Sequence, residues 1–151
     1  MSETNAILRF KTSTEKATDR ILFYLDEDTR PDFADEVPAN ESALCEAMEF
    51  ADTPIQIEKT SETIIYAWFE FIELDEIEKM LLVFDCIEGI LGRHVYFADD
   101  EEYRAYFEYR NNMLKPIYTI EDDTKIDQKL WEMDWNEKSL EWVIDRYEVA
   151  S

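Results

Sequence analysis

Glycine is nearly absent from this chain, which has two glycines among 151 residues, at positions 89 and 92. Phosphate-binding loops and dinucleotide-binding turns need several glycines close together, because their backbone must bend sharply and approach a phosphate closely. Neither motif can form here, so the nucleotide-dependent enzymes that use them are excluded. The four prolines are too few for a low-complexity linker.

Histidine and cysteine are also scarce: the chain has His94, Cys45 and Cys86 and no others. A Ser-His-Asp or Cys-His catalytic arrangement would have to use His94, but no glycine-rich nucleophile turn accompanies it. The three residues also lack the close pairing that is typical of zinc ligands. We therefore predict a non-enzymatic protein with no cofactor, no catalytic residue, and two buried, reduced thiols.

Carboxylates are the remaining metal-ligand candidates. Asp26–Asp28 and Asp122-Asp123 could bind a hard cation, although neither follows the calcium-loop pattern with its turn glycine. Asp123-Thr124-Lys125 has the D-x-K spacing of many metal nucleases, but a body of charge −22 repels a polyanionic substrate. A metal-dependent enzyme is therefore our third hypothesis, and we predict no metal site.

Long apolar runs are missing, so no transmembrane helix is expected. The N-terminal stretch MSETNAILRF lacks a basic region followed by a long apolar segment, which a secretory signal would need. We therefore expect a cytoplasmic location.

Basic residues are few relative to acids, with 15 Lys and Arg against 37 Asp and Glu. The resulting charge of −22 is spread along the whole chain, and it disfavours nucleic acid and anionic membranes while favouring cationic partners. The chain is not disordered by composition, since 46% of its residues are hydrophobic and 14% are aromatic. We expect residues 1–151 to form a single acidic α+β domain.

Hydrophobic periodicity predicts an alternation of strands and helices. Its order contains a β-α-β-β-α-β core, typical of a ferredoxin-like fold, in which an antiparallel sheet carries helices on one face. Two C-terminal helices, at 124–133 and 136–149, are expected to cover a sheet edge or the open face. The predicted strands are 6–11, 54–59, 63–72, 94–97 and 117–120, and the other predicted helices begin at Ser13 or Thr14, begin at Asn40 or Ser42, and span 74–91. In the strand 63–72 the expected core face is Ile65, Ala67, Phe69 and Phe71. The helix that begins at Asn40 or Ser42 is expected to have an apolar stripe of Leu44, Ala47, Met48 and Ala51. Along 74–91 the expected solvent-side carboxylates are Asp75, Glu78, Asp85 and Glu88.

The segment 99–114 begins with four consecutive carboxylates and has two interpretations. Aromatic and apolar residues recur at helical spacing from Tyr103 to Leu114, which favours a helix with Asp99 as its N-cap. A hairpin with the acids in its turn is the alternative, because the rings then alternate. We predict the helix.

Acidic and aromatic residues near the C-terminus suggest a binding surface. Glu137, Glu141, Asp145 and Glu148 are spaced by four, four and three residues, so they would form one acidic stripe on a helix. Tryptophan is enriched at interface hot spots, and durable binding would need such buried anchors. The candidate partner-binding residues are Glu137, Glu141, Asp145, Glu148, Trp135, Trp142, Asp99, Asp100, Glu101 and Tyr103, with Tyr106 as a further candidate anchor.

Our leading hypothesis is a small acidic inhibitor that mimics nucleic acid. It would occupy the basic site of a nuclease or other nucleic-acid-binding protein, as anti-defence and immunity proteins do, without binding nucleic acid or membranes itself. The alternative is a regulatory adaptor domain that binds a protein without such mimicry. Exposed aromatic residues would also be compatible with a homodimer.

Overall fold

A computed structural model describes residues 4–99 and 104–120 of the chain. The described part contains a six-stranded antiparallel sheet with strand order β2-β3-β1-β4-β5-β6. The strands are β1 (Asn5–Thr12), β2 (Gln56–Ser61), β3 (Ile64–Glu70), β4 (Ile90–Ala98), β5 (Arg104–Arg110) and β6 (Met113–Ile120). The helices are α1 (Glu15–Leu25), α2 (Ser42–Glu49) and α3 (Leu74–Val83), with short 3-10 turns at 34–36, 39–41 and 84–86.

The core lies between the three helices and one face of the sheet. Alternate residues of each central strand point into it, as the two-residue period of a strand requires. On β1 these are Ala6, Leu8 and Phe10, which are fully buried. Phe10 contacts Phe84 edge-to-face, with ring centroids 5.3 Å apart. This core fixes the helices, and with them the acidic surface that they carry.

The opposite face of the sheet is also buried at its centre. Ile7, Tyr66, Trp68, Tyr96 and Tyr106 lie there, and each is at most 4% exposed. On this face the Trp68 indole N–H donates a hydrogen bond to the Asn5 side-chain oxygen at 2.9 Å, and the Arg9 guanidinium donates one to the Tyr106 hydroxyl at 3.0 Å. Tyr106, a candidate anchor for a partner, therefore lies buried within this face of the sheet.

Local signals near the N-terminus gave correct predictions. Thr14 is the N-cap of α1, and its hydroxyl accepts a hydrogen bond from the Ala17 amide at 3.2 Å. The hairpin of β2 and β3 also forms where the alternating pattern placed it, and Ile65, Ala67 and Phe69 point into the core as expected. Phe71, predicted to follow them inward, is 55% exposed because the backbone turns at that residue, with φ of 55°.

The predicted helix over 99–114 is wrong. Residues 104–110 form β5, and β5 pairs with β4 on one side and β6 on the other. Asn111 and Asn112 adopt positive φ angles of 54° and 64°, which suit the tight turn of a hairpin. Asp99 directly follows β4. The rings at 106, 107 and 109 thus alternate across a sheet, and the hairpin interpretation was the better one.

Two further boundaries differ from prediction. The predicted 74–91 helix ends at Val83, because a 3-10 turn follows and β4 already begins at Ile90. Neither Asn40 nor Ser42 caps α2, whose N-cap position is Glu41 and has no side-chain capping bond. The Glu41 side chain turns into the protein instead.

The α+β class, the antiparallel sheet and the helices on one face agree with prediction. The ferredoxin-like topology is not confirmed, because the strand order of this six-stranded sheet differs from that of a four-stranded core. The predicted helices at 124–133 and 136–149 lie outside the described residues.

Candidate protein-binding surface

The structure describes one of the ten predicted partner-binding residues. Asp99 is half-buried at the end of β4, where Ala98 pairs with Asn5 at the start of β1. Because Asn5 also pairs with Glu70, Asp99 lies at the end of the sheet from which the chain continues towards α3. The other nine lie outside the described residues: Asp100, Glu101, Tyr103, Trp135, Glu137, Glu141, Trp142, Asp145 and Glu148.

Exposed carboxylates surround α2 and the start of α3. We call eight of them the acidic band: Asp32, Glu36, Glu46, Glu49, Asp52, Glu73, Asp75 and Glu76. Their negative charges act on common neighbours. Burial raises the pKa of the Cys45 thiol, and the carboxylates of Glu36, Glu49, Glu46 and Asp32 raise it further. The first half of the band therefore surrounds the middle of α2.

The second half of the acidic band surrounds the start of α3. Partial desolvation raises the pKa of Glu76, and the negative charges of Asp52, Asp75 and Glu73 raise it further. Such crowding of like charges is unfavourable in the isolated protein, and a cationic partner would relieve it.

Arg30 is the only basic residue between Asp26 and Glu58. Its guanidinium donates hydrogen bonds to the carbonyl oxygens of Tyr24 at 2.9 Å and Met48 at 2.8 Å. It also reaches the carbonyls of Leu25 and Ala51, each at 3.3 Å. Arg30 therefore joins the C-terminal ends of α1 and α2, where a cation is favoured by both helix dipoles. Its guanidinium is engaged by these backbone carbonyls, which hold the chain after α1 against the end of α2.

Glu41 is the one buried carboxylate among the described residues. It accepts a hydrogen bond from the Tyr24 hydroxyl at 2.7 Å and forms an ion pair with Arg20. Burial acts to raise the pKa of Glu41, but the bonds from Arg20 and Tyr24 outweigh it, so the pKa is lowered. The three side chains connect α1 to the start of α2. The sequence showed no sign of this pair, because the two residues are far apart along the chain.

An apolar groove lies within the acidic band, between α2 and α3. It encloses about 320 Å³. Its apolar lining includes Met48, Ile72 and Met80, and Asp52, Glu76 and Lys79 supply its charged groups. Phe50, which follows α2 directly, also lines the groove and is 87% exposed. An aromatic side chain this exposed is unusual, because burying it would be favourable.

The groove was not predicted, although part of its signal is visible in the sequence. The expected stripe of α2 was Leu44, Ala47, Met48 and Ala51. Leu44 and Met48 are buried, but the small side chains of Ala47 and Ala51 leave the groove open. Phe50 falls outside that stripe, which is the feature that could have marked it as exposed.

A second cleft, of about 420 Å³, lies between the start of α1 and the turn before β4. Its lining includes Arg20, Glu41 and Cys86. Because Arg20 is already paired with Glu41, the cleft offers less free charge than its residues suggest. Burial raises the pKa of the Cys86 thiol, which disfavours the reactive thiolate.

The single histidine and the two cysteines of the chain all lie among the residues that the structure describes. His94 stacks on Tyr106 with ring centroids 5.7 Å apart and lies 3.6 Å from a Glu108 carboxylate oxygen. Cys45 and Cys86 are both free thiols. Over residues 4–99 and 104–120, no group of three or more His, Cys, Asp or Glu is placed to hold a metal ion.

The carboxylates predicted on the solvent side of 74–91 have varied surroundings. Asp75 is exposed, but Glu78 is half-buried and accepts a hydrogen bond from the Leu114 amide at 2.7 Å. Asp85 and Glu88 lie beyond the end of α3, and Asp85 pairs with Arg93 at 2.5 Å. They therefore do not form a continuous stripe on one helix.

Comparison with protein-family models, curated proteins and solved structures finds no match to this chain. No helix among the described residues has the length and apolar character needed to cross a membrane. The function is therefore inferred from the acidic band and its groove.

Proposed function

We propose that this protein binds the basic nucleic-acid site of another protein and excludes nucleic acid from it. The partner would be a nuclease or another nucleic-acid-binding protein, and the biological role would be of the anti-defence or immunity type. The protein would act by binding alone, without catalysis, a cofactor or a metal.

The observation that carries this proposal is the exposure of the acidic band with little basic charge beside it. Its eight carboxylates are all exposed, while Arg30 is committed to backbone carbonyls. Residues three apart on a helix, such as Glu46 and Glu49 of α2, have Cβ atoms about 5–6 Å apart, so their carboxylates are close neighbours on the surface. Proteins that bind DNA present Lys and Arg along closely spaced phosphates, so a protein surface of this kind can occupy the same track.

A regulatory adaptor is the second candidate, and the apolar groove favours it. Mimicry of phosphates requires charge, whereas an exposed Phe50 beside an apolar cleft suits side-chain recognition of a protein. The two functions differ in salt dependence, because charge-driven association weakens as salt rises and apolar contacts do not.

Affinity capture from lysate with the tagged protein tests the proposal. One half of the loaded resin is eluted with rising NaCl, and the other half with DNA or RNA at constant salt. We expect a basic nucleic-acid-binding protein to be released by both treatments. A partner that resists both would favour the adaptor and contradict the mimic.

We also propose that β1 to β4, with α1 and α3, form a ferredoxin-like unit that β5 and β6 extend. The antiparallel pairing of β1 with both β3 and β4 supports this view.

A further inference from the structure

We propose that the groove between α2 and α3 receives an apolar side chain from a basic segment of the partner protein. This inference rests on the proposed function, since it names the element of the acidic band that would anchor the partner. The occupant would have one apolar residue flanked by Lys or Arg.

The dimensions of the groove fit a side chain better than a larger ligand. Its volume of about 320 Å³ is at the lower limit of ligand pockets, which span roughly 300–1,000 Å³. Ala47, Met48, Ile72, Met80 and Val83 supply apolar atoms on both sides. Burying one Leu-sized side chain there would exclude water from these atoms and from the inserted residue.

The rim of the groove determines the charge of the partner. Asp52 and Glu76 line it, Asp75 and Glu73 add negative charge to Glu76, and Lys79 is the one cation in the lining. A neutral apolar ligand would leave this repulsion unchanged. Lys or Arg residues next to the inserted side chain would instead pair with the rim carboxylates, so the charge is complementary to a basic segment.

The backbone beside the groove is held in an unusual conformation. Phe71 has a positive φ of 55°, which is rare for a bulky residue, and its side chain is 55% exposed. The Phe71 amide donates to the Thr4 carbonyl at 2.9 Å, and the Thr4 hydroxyl donates to the Ile72 carbonyl at 2.8 Å. These two bonds fix Ile72 in the groove lining before any partner binds, which lowers the ordering cost of binding.

The groove is tested with two synthetic peptides on the full chain. The first is a nine-residue peptide of alternating Lys and Ser with Leu at its centre, and the second has Ser in place of Leu. Affinities are measured by NMR titration, following the methyl groups of Ala47, Met48, Ala51 and Met80. We expect the Leu peptide to bind at least about tenfold more tightly, because burial of one Leu side chain is worth about that factor.

Two variants assign the preference to the groove. Phe50→Ser should reduce the preference for Leu to less than about threefold, because it removes part of the groove wall while changing a side chain that is 87% exposed. Phe33→Ser is the matched control. Phe33 is 67% exposed and lies next to Asp32 of the acidic band but does not line the groove. It should keep the tenfold preference.

The outcomes separate this inference from the proposed function. If both peptides bind equally and shift resonances across the acidic band, the groove proposal is overturned while the charge-based function stands. If the Leu peptide is preferred but Phe33→Ser removes that preference, the groove is also overturned. Absence of binding by either peptide, at NaCl concentrations of about 20 mM where charge is weakly screened, would contradict both proposals.

Discussion

The buried pair of Glu41 and Arg20 allows a prediction whose sign is decided by the structure. Burial alone would raise the pKa of Glu41 and make its charge destabilising. The bonds from Arg20 and Tyr24 act in the opposite direction, and their combined effect is larger. We therefore expect the Glu41 charge to stabilise the fold, and Glu41→Gln to lower the free energy of unfolding at pH 7.

The size of the effect follows from the contacts. A hydrogen bond to a charged group contributes about 1.5–3 kcal/mol and a neutral one about 0.5–1.5 kcal/mol, and Gln keeps an acceptor oxygen for both donors. The Arg20 side chain is 31% exposed, so water partly compensates its lost partner. We expect Glu41→Gln to cost about 1–2 kcal/mol, which lowers Tm by about 2–4 °C for each kcal/mol in a chain of this size.

The pH dependence provides the sharper test. A carboxyl group with a lowered folded pKa contributes its full stabilisation above its unfolded pKa and loses it as pH falls through the folded value. The difference in unfolding free energy between wild type and Glu41→Gln should therefore be constant from pH 7 to about 5. This difference should shrink as the pH falls below 4.5, which is the ordinary pKa of a glutamate side chain.

Urea unfolding followed by far-UV circular dichroism, at steps between pH 7 and pH 3, measures this difference. Glu62→Gln is the control, because Glu62 is an exposed carboxylate in the turn between β2 and β3. It reports the general effect of removing one negative charge from an acidic protein. If the difference for Glu41→Gln grew as pH fell, the pKa of Glu41 would be raised by burial, and the reasoning would be refuted.

Three further predictions concern Arg30, the β5–β6 turn and the C-terminal acids. Arg30→Ala should lower the unfolding free energy by about 2–4 kcal/mol in urea titration, since it strips donors from carbonyls of two helix ends, and Arg30→Lys should restore only part of it. Asn112→Val should cost about 1–2 kcal/mol because φ is 64°, while Asn112→Gly should cost nothing; equal stability of the two would contradict the hairpin turn. The sequence-based stripe predicts that changing Glu137, Glu141 and Asp145 to Gln, Gln and Asn weakens inhibition about tenfold with the fold intact; unchanged potency would remove the stripe from the binding surface.

The sequence specified the parts of the fold in which local signals agree with each other. Thr14 begins α1, and the alternation from Ile64 to Phe69 gave both the hairpin and its core face. Over 103–114 the same residues fit both the 3.6-residue period of a helix and the two-residue period of a strand. Tyr106 and Phe107 fall on one helix face, yet they also lie on opposite faces of a strand. Pairing with β4 decides the outcome, and a long-range contact of that kind is not encoded in a local period.

The sequence predicts that the protein has an acidic surface, but it does not predict where on the fold the acidic band lies. Composition showed that carboxylates dominate the surface, but the attachment of Asp32 and Glu36 beside α2 depends on Arg30, which contacts the ends of two helices. The groove is formed by the packing of α2 against α3. Its existence therefore could not be predicted from the sequence pattern of either helix alone. Phe50 is the groove residue whose exposure the sequence pattern indicates, because it falls outside the apolar stripe of α2.

Displacement of nucleic acid from the captured partner tests the central claim most directly. The partner is bound to fluorescently labelled DNA or RNA, and anisotropy is recorded as this protein is added at several salt concentrations. Wild-type protein should release the nucleic acid, with a potency that falls steeply as salt rises. A variant with Glu46→Gln, Glu49→Gln, Asp52→Asn and Glu76→Gln should be at least about tenfold weaker. Equal potency of the two proteins, or binding to the partner without release of the nucleic acid, would contradict the account.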